Sequence, residues 1–242
     1  MRFDTQVFLA ALTSPALVQG AVITVVLTIV SFTLGLGIGL LVAVLRQHRW
    51  RWVRVLAWTY VWVFRAIPTL IQLLFVWNAL PLIAPVFAQG WFTPFIAATL
   101  ALSLNEGAYA AEVVRGGLLA IDDGQKQAAR ALGLSPWSTF RRIIAPQLVR
   151  VITPPMANDF ITLLKITSLA SVISLRELLT NTQLIINSNF RFAELYSAVA
   201  IWYLVLVSLL MVVQSWIERR STWTSRRTAP AGAARLRTGV MR

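Results

Sequence analysis

The stretch QAARALGLSPWSTFRRIIAPQ, residues 127–147, interrupts a chain that is otherwise strongly apolar. Residues 120–133 are predicted to form a short, mostly polar helix. That helix ends at Gly133, because glycine readily adopts the left-handed conformation that terminates helices. Ser135 is suited to cap a second helix, and Pro136 fits its first turn, where the missing N–H is not needed. The stretch therefore predicts two helices that meet at a sharp bend.

The first of these two helices has a thin side that suits it to contact another protein. Ala128 and Ala129 are adjacent and small, and Gln127 before them is a good helix former. A thin helix held outside the membrane can dock into a groove of a partner. The second helix is expected to stop near Pro146, because the residue before a proline is disfavoured in the helical conformation.

Composition indicates an integral membrane protein. Of the 242 residues, 57% are hydrophobic and 13% are charged, and the mean hydropathy is +0.70, outside the range typical of a soluble domain. Cysteine is absent and His48 is the only histidine, so we expect no metal site and no catalytic triad. The phosphate-binding pattern G-x4-G-K-[ST] is absent as well. We therefore predict no catalytic residues and no cofactor, and we assign any nucleotide chemistry to a partner.

The distribution of basic residues predicts which segments face the cytoplasm. The net charge is +13, and 18 of the 22 lysines and arginines lie in three segments, Arg46–Arg54, Arg115–Lys165 and Arg219–Arg242. Basic clusters beside apolar spans mark the cytoplasmic side of a membrane protein. Their attraction to anionic lipid explains the charge without any nucleic-acid partner.

The apolar pattern predicts five transmembrane helices, with the N-terminus outside and the C-terminus in the cytoplasm. In chain order they cover roughly residues 20–45, 55–80, 91–113, 159–175 and 196–217. The fourth is interrupted by Lys165, but it is counted as a crossing because the last span would otherwise carry the basic C-terminal segment to the outside. Residues 1–19 are predicted to form an external segment, and residues 221–242 a flexible basic cytoplasmic tail.

These residues resemble a known family of membrane proteins. The pattern Gln127-Ala-Ala-x3-Gly133-x9-Ile143-x-Ala145-Pro146 is similar to the E-A-A-x3-G-x9-I-x-L-P loop of inner-membrane permease subunits of binding-protein-dependent ABC importers. Further segments resemble the polar amino acid branch, which includes the histidine, glutamine, glutamate and arginine types: FRAIPTLIQL (64–73), LNEGAYAAEVVRGGL (104–118) and PPMANDFITLLKITSLASVISLREL (154–178). Four positions depart from the family pattern: Gln127 replaces Glu, Ala145 replaces Leu, and Ala66-Ile67 replaces Gly-Thr.

The resemblance implies an all-α integral membrane protein with the type I ABC importer permease fold. The permease domain would cover residues 20–220, and its cytoplasmic coupling loop, residues 116–152, would dock on separate ABC ATPase subunits. The coupling contacts would involve Gln127, Ala128, Ala129, Gly133, Ser135 and Pro136. The implied partners also include a second permease copy or a sister permease, an extracytoplasmic substrate-binding protein and a polar amino acid substrate. The implied location is the bacterial cytoplasmic membrane.

Polar residues inside two predicted spans suggest a shared polar path. An ionisable group at membrane depth costs about 3 kcal/mol on insertion scales, so it needs a partner or a water-filled cavity. The candidate path residues are Asn105, Glu106, Tyr109, Thr162, Lys165 and Ser168. Glu106 and Lys165 could recognise the amino and carboxylate groups of an amino acid. Alternatively, Lys165 pairs with Asp159 or Glu106 only to hold the helix bundle together.

Other features admit a structural and a functional interpretation. Gly35-x-x-x-Gly39 permits close helix contact, either within the chain or between copies. Arg65 with Pro68 is expected to mark a bend of the second span. Residues 176–194 are predicted to form an exposed external loop that could contact a binding protein through Arg176, Glu177, Asn189 and Arg191.

Two other functional classes remain open from the sequence. One is a secondary transporter driven by an ion gradient, with Glu106 as the proton carrier. The other is a scaffold or sensor subunit that binds an ATPase but moves no solute.

Overall fold

The computed structural model describes residues 3–221, and every regular element in that range is a helix. The helices, in chain order, are α1 Thr5–Leu12, α2 Pro15–Leu45, α3 Arg51–Ala66, α4 Thr69–Ile83, α5 Pro94–Leu119, α6 Asp123–Ala131, α7 Pro136–Ile173, α8 Leu178–Asn189 and α9 Phe192–Ser221. The all-α prediction is thus confirmed for the described residues. The predicted cytoplasmic tail, apart from its first residue, lies outside them.

Helix length and composition identify fewer membrane spans than the five predicted. Within residues 3–221, α2, α7 and α9 are each long and apolar enough to cross a membrane, and α3 with α4 would count as a fourth span if this bent pair crosses as one. Helix α5 has 26 residues, but its polar side chains lower its hydropathy. The count of five therefore stays a prediction.

Close packing between α2 and α5 sets the centre of the bundle. A Cβ atom added at Gly35 would lie 2.7 Å from Cβ of Glu106, and one added at Gly39 would lie 2.5 Å from Cβ of Ala110. Because the residue numbers rise together along both helices, α2 and α5 run in the same direction. The glycine pair is used for contact within the chain, as one of the two interpretations predicted.

The remaining long helices alternate in direction around this pair. The added Cβ of Gly117 would lie 2.9 Å from Cδ1 of Leu148, near the start of α7, while Leu163 near its end packs with Leu102 in the main core. Helix α7 is therefore antiparallel to α5. Helix α9 begins beside α1, where the indole N–H of Trp202 donates to the carbonyl of Leu12 at 3.2 Å.

Prolines have opposite effects at two positions. Between α3 and α4 the chain bends by 105°; Ile67 before Pro68 is extended, with φ −87° and ψ 129°, which is the conformation preferred before proline. The predicted bend is confirmed.

The predicted stop near Pro146 is wrong, because α7 continues through it to Ile173. A π-helical turn at Phe140–Ile144 precedes Pro146, and this wider turn accommodates the residue that cannot donate a backbone hydrogen bond.

The segment after α7 is more ordered than the predicted exposed loop. Residues 178–189 form helix α8, and Leu178 donates its N–H to Oγ1 of Thr24 on α2 at 3.3 Å. Glu177 is fully buried, so it is not available to a binding protein. Helix α2 also begins at Pro15, inside the predicted external segment 1–19.

Replacing Gly39 with alanine should destabilise the bundle, because the new Cβ would lie 2.5 Å from Cβ of Ala110 and 3.0 Å from backbone atoms of α5. We expect a loss of about 1–3 kcal/mol, as for other overpacked cores, measured by the thermal unfolding midpoint in detergent. Gly37→Ala is the matched control, since its Cβ would meet nothing within 4 Å. Equal midpoints for the two variants would contradict this account of the α2–α5 contact.

Candidate functional site

The bend between α6 and α7 forms as the sequence predicts. Gly133 has φ +71°, and the N–H of Leu134 donates to the carbonyl of Ala129 at 3.0 Å while that of Gly133 donates to the carbonyl of Arg130 at 2.9 Å. This is the hydrogen-bond pattern of a Schellman helix end. Ser135 caps α7 by accepting from the N–H of Ser138 at 3.2 Å, and Pro136 occupies the first turn.

The predicted coupling residues lie on an exposed elbow, which we define as residues 122–140. Those exposed to solvent are Gln127, Ala128, Gly133, Ser135 and Pro136. Ala129 is the exception, because it is only 1% exposed and packs against the rest of the chain. On the thin side of α6, Ala129 therefore packs inward and Ala128 faces outward.

Exposed apolar side chains extend the elbow surface beyond the predicted residues. Leu132 is 80% exposed and Trp137 is 67% exposed. Large apolar side chains exposed on the same elbow are candidates for a protein-interaction surface. Neither residue was predicted to belong to the site, although an apolar side chain within a polar segment was the available signal.

A local ion pair stabilises the start of the elbow. Nζ of Lys126 lies 2.8 Å from a carboxylate oxygen of Asp123, and this neighbouring ammonium lowers the pKa of the Asp123 carboxyl below its ordinary value. Asp122 caps α6 by accepting from the N–H of Gly124 at 2.8 Å. Both contacts lie in the first turn of α6, where negative charge also favours the helix dipole.

Helix α7 carries a polar face that is exposed in the single chain. Asn158, Thr162 and Lys165 are exposed, and Ser168 is partly exposed. The hydroxyls of Thr162 and Ser168 donate to carbonyls one turn earlier on their own helix, at 3.0 and 2.8 Å. Among the described residues, no carboxylate lies within 4.0 Å of Lys165. The alternative in which Lys165 pairs with Asp159 or Glu106 is therefore not seen among the described residues.

Glu106 lies in the interior, between α2 and α5. It is 5% exposed, and within the described part of the chain its Oε1 has no hydrogen-bond partner. The half-buried Asp159 on α7 is the charged group that acts on it electrostatically. Glu106 is thus enclosed in the interior, while Lys165 lies on the exposed face.

Asn105 holds the break between α3 and α4. Its Nδ2 donates to the carbonyl of Phe64 and to Oε1 of Gln72, both at 3.2 Å. Gln72 in turn donates from Nε2 to the carbonyls of Phe64 and Ile67, both at 2.8 Å. These carbonyls lose their helical partners at the break, so the two amides replace them. No role was predicted for Gln72, although a polar residue within an apolar run was the available signal.

Tyr109 lies beside a cluster of arginines near the end of α5. The guanidinium of Arg65 lies over its ring, 5.4 Å from the centroid. One turn further along α5, Glu112 accepts from Arg46 of α2, and from Nε of its neighbour Arg115 at 2.9 Å. These contacts surround a cavity of about 560 Å³. This cluster was not predicted, because Arg46 and Glu112 are far apart along the chain.

A second buried carboxylate lies at the opposite end of the bundle. Glu177 caps α8 by accepting from the N–H groups of Leu179 and Thr180 at 2.8 and 2.7 Å, and from the hydroxyl of Tyr203 at 3.4 Å. Burial raises the pKa of the Glu177 carboxyl above its ordinary value. Within residues 3–221, no group of three or more His, Cys, Asp or Glu side chains could hold a metal ion.

Comparisons with known proteins agree on one family. Residues 35–223 match the family described as the inner membrane component of binding-protein-dependent transport systems. The chain is 37% identical over 220 residues to the glutamine transport system permease protein GlnP of Escherichia coli strain K12. This match covers 91% of this chain and 98% of that protein. It is 36% identical over 239 residues to the arginine transport system permease protein ArgU of Corynebacterium glutamicum, covering 95% of this chain and 72% of that protein.

Solved structures give the same result at the level of the fold. The chain is similar to one described as the crystal structure of an amino acid ABC transporter with histidines, with a TM-score of 0.82, 32% identity, and coverage of 91% of this chain and 100% of that one. An inward-facing MetNI methionine ABC transporter shares the fold, with a TM-score of 0.69 and 23% identity over 86% of this chain and 96% of that one.

Replacing Gln72 with leucine should destabilise the break between α3 and α4. The carbonyl of Ile67 would lose its side-chain donor and that of Phe64 would keep only Asn105; an unsatisfied group at such a part-buried site costs about 1–3 kcal/mol. The thermal unfolding midpoint in detergent measures this effect. Asn78→Leu is the control, because Asn78 is exposed and donates only to a carbonyl of its own helix. A Gln72→Leu variant as stable as the control would contradict the assigned role.

Proposed function

The chain belongs to the family of inner membrane components of binding-protein-dependent transport systems, and from this membership we propose that it forms the translocation path of an ATP-driven importer for a polar amino acid. Membership confirms the resemblance predicted from the sequence. The chain is a permease component of an amino acid ABC transporter, a membrane subunit and not an enzyme.

The proposed arrangement in the membrane has five spans: α2, the bent pair α3–α4, α5, α7 and α9. The common direction of α2 and α5 supports this count, because the chain must return once between them. The opposite direction of α7 supports a further return. With the basic segments placed in the cytoplasm, the N-terminus lies outside and the C-terminus inside, in the bacterial cytoplasmic membrane.

The observation that carries the proposal is the exposed Lys165 of α7, which has no carboxylate within 4.0 Å among the described residues. Lys165 faces outward on α7 with Asn158 and Thr162. A charge in contact with lipid inside the membrane would cost about 3 kcal/mol or more. The face must therefore meet water or protein. We propose that a second permease, either an identical copy or a sister chain, covers it, and that a polar path for the substrate lies between the two chains.

The substrate proposal follows from the chemistry of this path. Lys165 would bind the carboxylate of an amino acid, and Glu106 would attract its amino group. Thr162 and Ser168 would line the path, and Asn105 and Tyr109 would form part of its wall on α5. An extracytoplasmic binding protein would deliver the substrate. The curated relatives are named for glutamine and arginine, which supports a polar amino acid.

The elbow would couple this path to ATP hydrolysis in separate ABC ATPase subunits. Its exposed residues, including Ala128, Leu132 and Trp137, offer a small and partly apolar docking surface. Movement of the ATPase subunits would be transmitted through α6 to the adjoining helices, which would open the path alternately to each side of the membrane. An ion-driven transporter would not need this elbow, because it has no ATPase to bind. A non-transporting scaffold would not need the polar face, because it moves no solute.

Replacing Gly133 with valine should uncouple transport from ATP hydrolysis. A residue with a Cβ in the left-handed conformation costs about 1–2 kcal/mol, so the elbow should change shape while the membrane helices still insert. We expect ATP-driven uptake into proteoliposomes to fall several-fold. Gly133→Asn should retain more uptake, since asparagine tolerates this conformation. Gly116→Ala is the control, because its Cβ meets nothing within 4 Å. Unchanged uptake by Gly133→Val would contradict coupling through the elbow.

Replacing Lys165 with glutamine should weaken binding of the substrate carboxylate. Loss of a hydrogen bond to a charged group costs about 1.5–3 kcal/mol, which corresponds to an increase in KM for uptake of roughly tenfold or more. Glu106→Gln should also raise KM if the amino group is bound there. Arg150→Gln, an exposed substitution near the start of the same helix, is the control. A lower yield of assembled complex with unchanged KM would assign both residues a structural role only.

A further inference from the structure

Three arginines from different segments of the chain surround the cavity near the end of α5. Arg46 follows α2, Arg65 lies near the end of α3, and Arg115 lies on α5. The cavity has a volume of about 560 Å³, and its remaining wall includes Trp58 and Trp62. No part of the proposed transport path requires so many cations at this position.

The charges around the cavity are unbalanced. Its lining contains three arginines and a single carboxylate, Glu112, which leaves a formal charge of +2. Arg46 and Arg115 both bind Glu112. Among the described residues, no carboxylate lies within 4.0 Å of Arg65, whose guanidinium packs over the ring of Tyr109. The donors of Arg65 are therefore available to an external anion.

The wall of the cavity provides an apolar surface beside these cations. The indole rings of Trp58 and Trp62 are stacked, with centroids 6.0 Å apart and planes 3° from parallel. They are 53% and 57% exposed. Tryptophan side chains exposed on a membrane protein concentrate at the boundary between lipid tails and head groups. The cavity thus combines an anion-binding end with a surface suited to a lipid tail.

We propose that this cavity binds an anionic phospholipid of the cytoplasmic leaflet. Its phosphate would contact Arg65 and Arg115, because the guanidinium fork matches phosphate oxygens, and an acyl chain would lie along Trp58 and Trp62. Basic pockets between membrane helices on the cytoplasmic side bind anionic head groups in this way. The choice of leaflet rests on the proposed orientation of the chain, whereas binding itself does not require transport.

The test is lipid binding by the purified permease–ATPase complex, measured by native mass spectrometry after titration with phosphatidylglycerol or phosphatidylcholine. We expect preferential retention of phosphatidylglycerol. Arg65→Gln should weaken that retention about fivefold, the factor expected for one basic residue near an anionic surface, and Arg65→Lys should restore part of it. Arg150→Gln, which removes an exposed arginine outside the cavity, should leave retention unchanged.

Several results would overturn the proposal. Equal retention of the two lipids, or equal effects of Arg65→Gln and Arg150→Gln, would show that the cavity is not a specific lipid site. Displacement of phosphatidylglycerol by inorganic phosphate at equal concentration would assign the cavity to a soluble anion. Loss of cross-linking between permease chains in Arg65→Gln would assign it to the contact between permeases. A failure of ATP-driven uptake with lipid binding intact would instead contradict only the proposed function.

Discussion

The close contact between α2 and α5 determines the geometry of everything else in this chain. Gly35 and Gly39 let the two backbones approach, so that Glu106 is enclosed between the helices. The same parallel alignment brings Arg46 at the end of α2 to Glu112 on α5. Without a hydrophobic force to associate helices in lipid, packing at small residues supplies much of the attraction between them. One contact thereby positions both a buried carboxyl and the arginine-rich cavity.

Around this centre, the chain satisfies backbone groups wherever its helices are irregular, as a lipid environment demands. At the break before Pro68, Gln72 and Asn105 donate to carbonyls that have lost their helical partners. At Pro146 a wider turn lets the helix continue. In the elbow, the hydrogen bonds at Gly133 cap the end of α6, and Ser135 caps the start of α7. The three irregularities thus lie in different parts of the chain: in the bent pair α3–α4, in α7, and in the elbow proposed to bind the ATPase.

The features that the sequence predicted well depend on neighbouring residues. The left-handed Gly133, the cap at Ser135 and the bend at Pro68 follow from local backbone preferences, and they were predicted correctly. The contacts that were not predicted from the sequence join distant segments, such as Arg46 with Glu112 and Asn105 with Gln72. Glu177 shows the same limit, because it was predicted to lie in an exposed loop that contacts a binding protein but is buried as a helix cap. The continuation of α7 through Pro146 was missed because the pattern does not reveal a π-helical turn.

The central claim is that this chain forms the path of an importer that is powered through its elbow and supplied by a binding protein. The most direct test is uptake of labelled amino acids, one at a time, into proteoliposomes that contain the chain with its co-purifying ATPase. Each is assayed with and without internal ATP and with and without an added binding protein. We predict uptake of a polar amino acid that requires both ATP and the binding protein. Uptake driven by an ion gradient alone, or no uptake of any amino acid while the ATPase stays bound, would contradict the account.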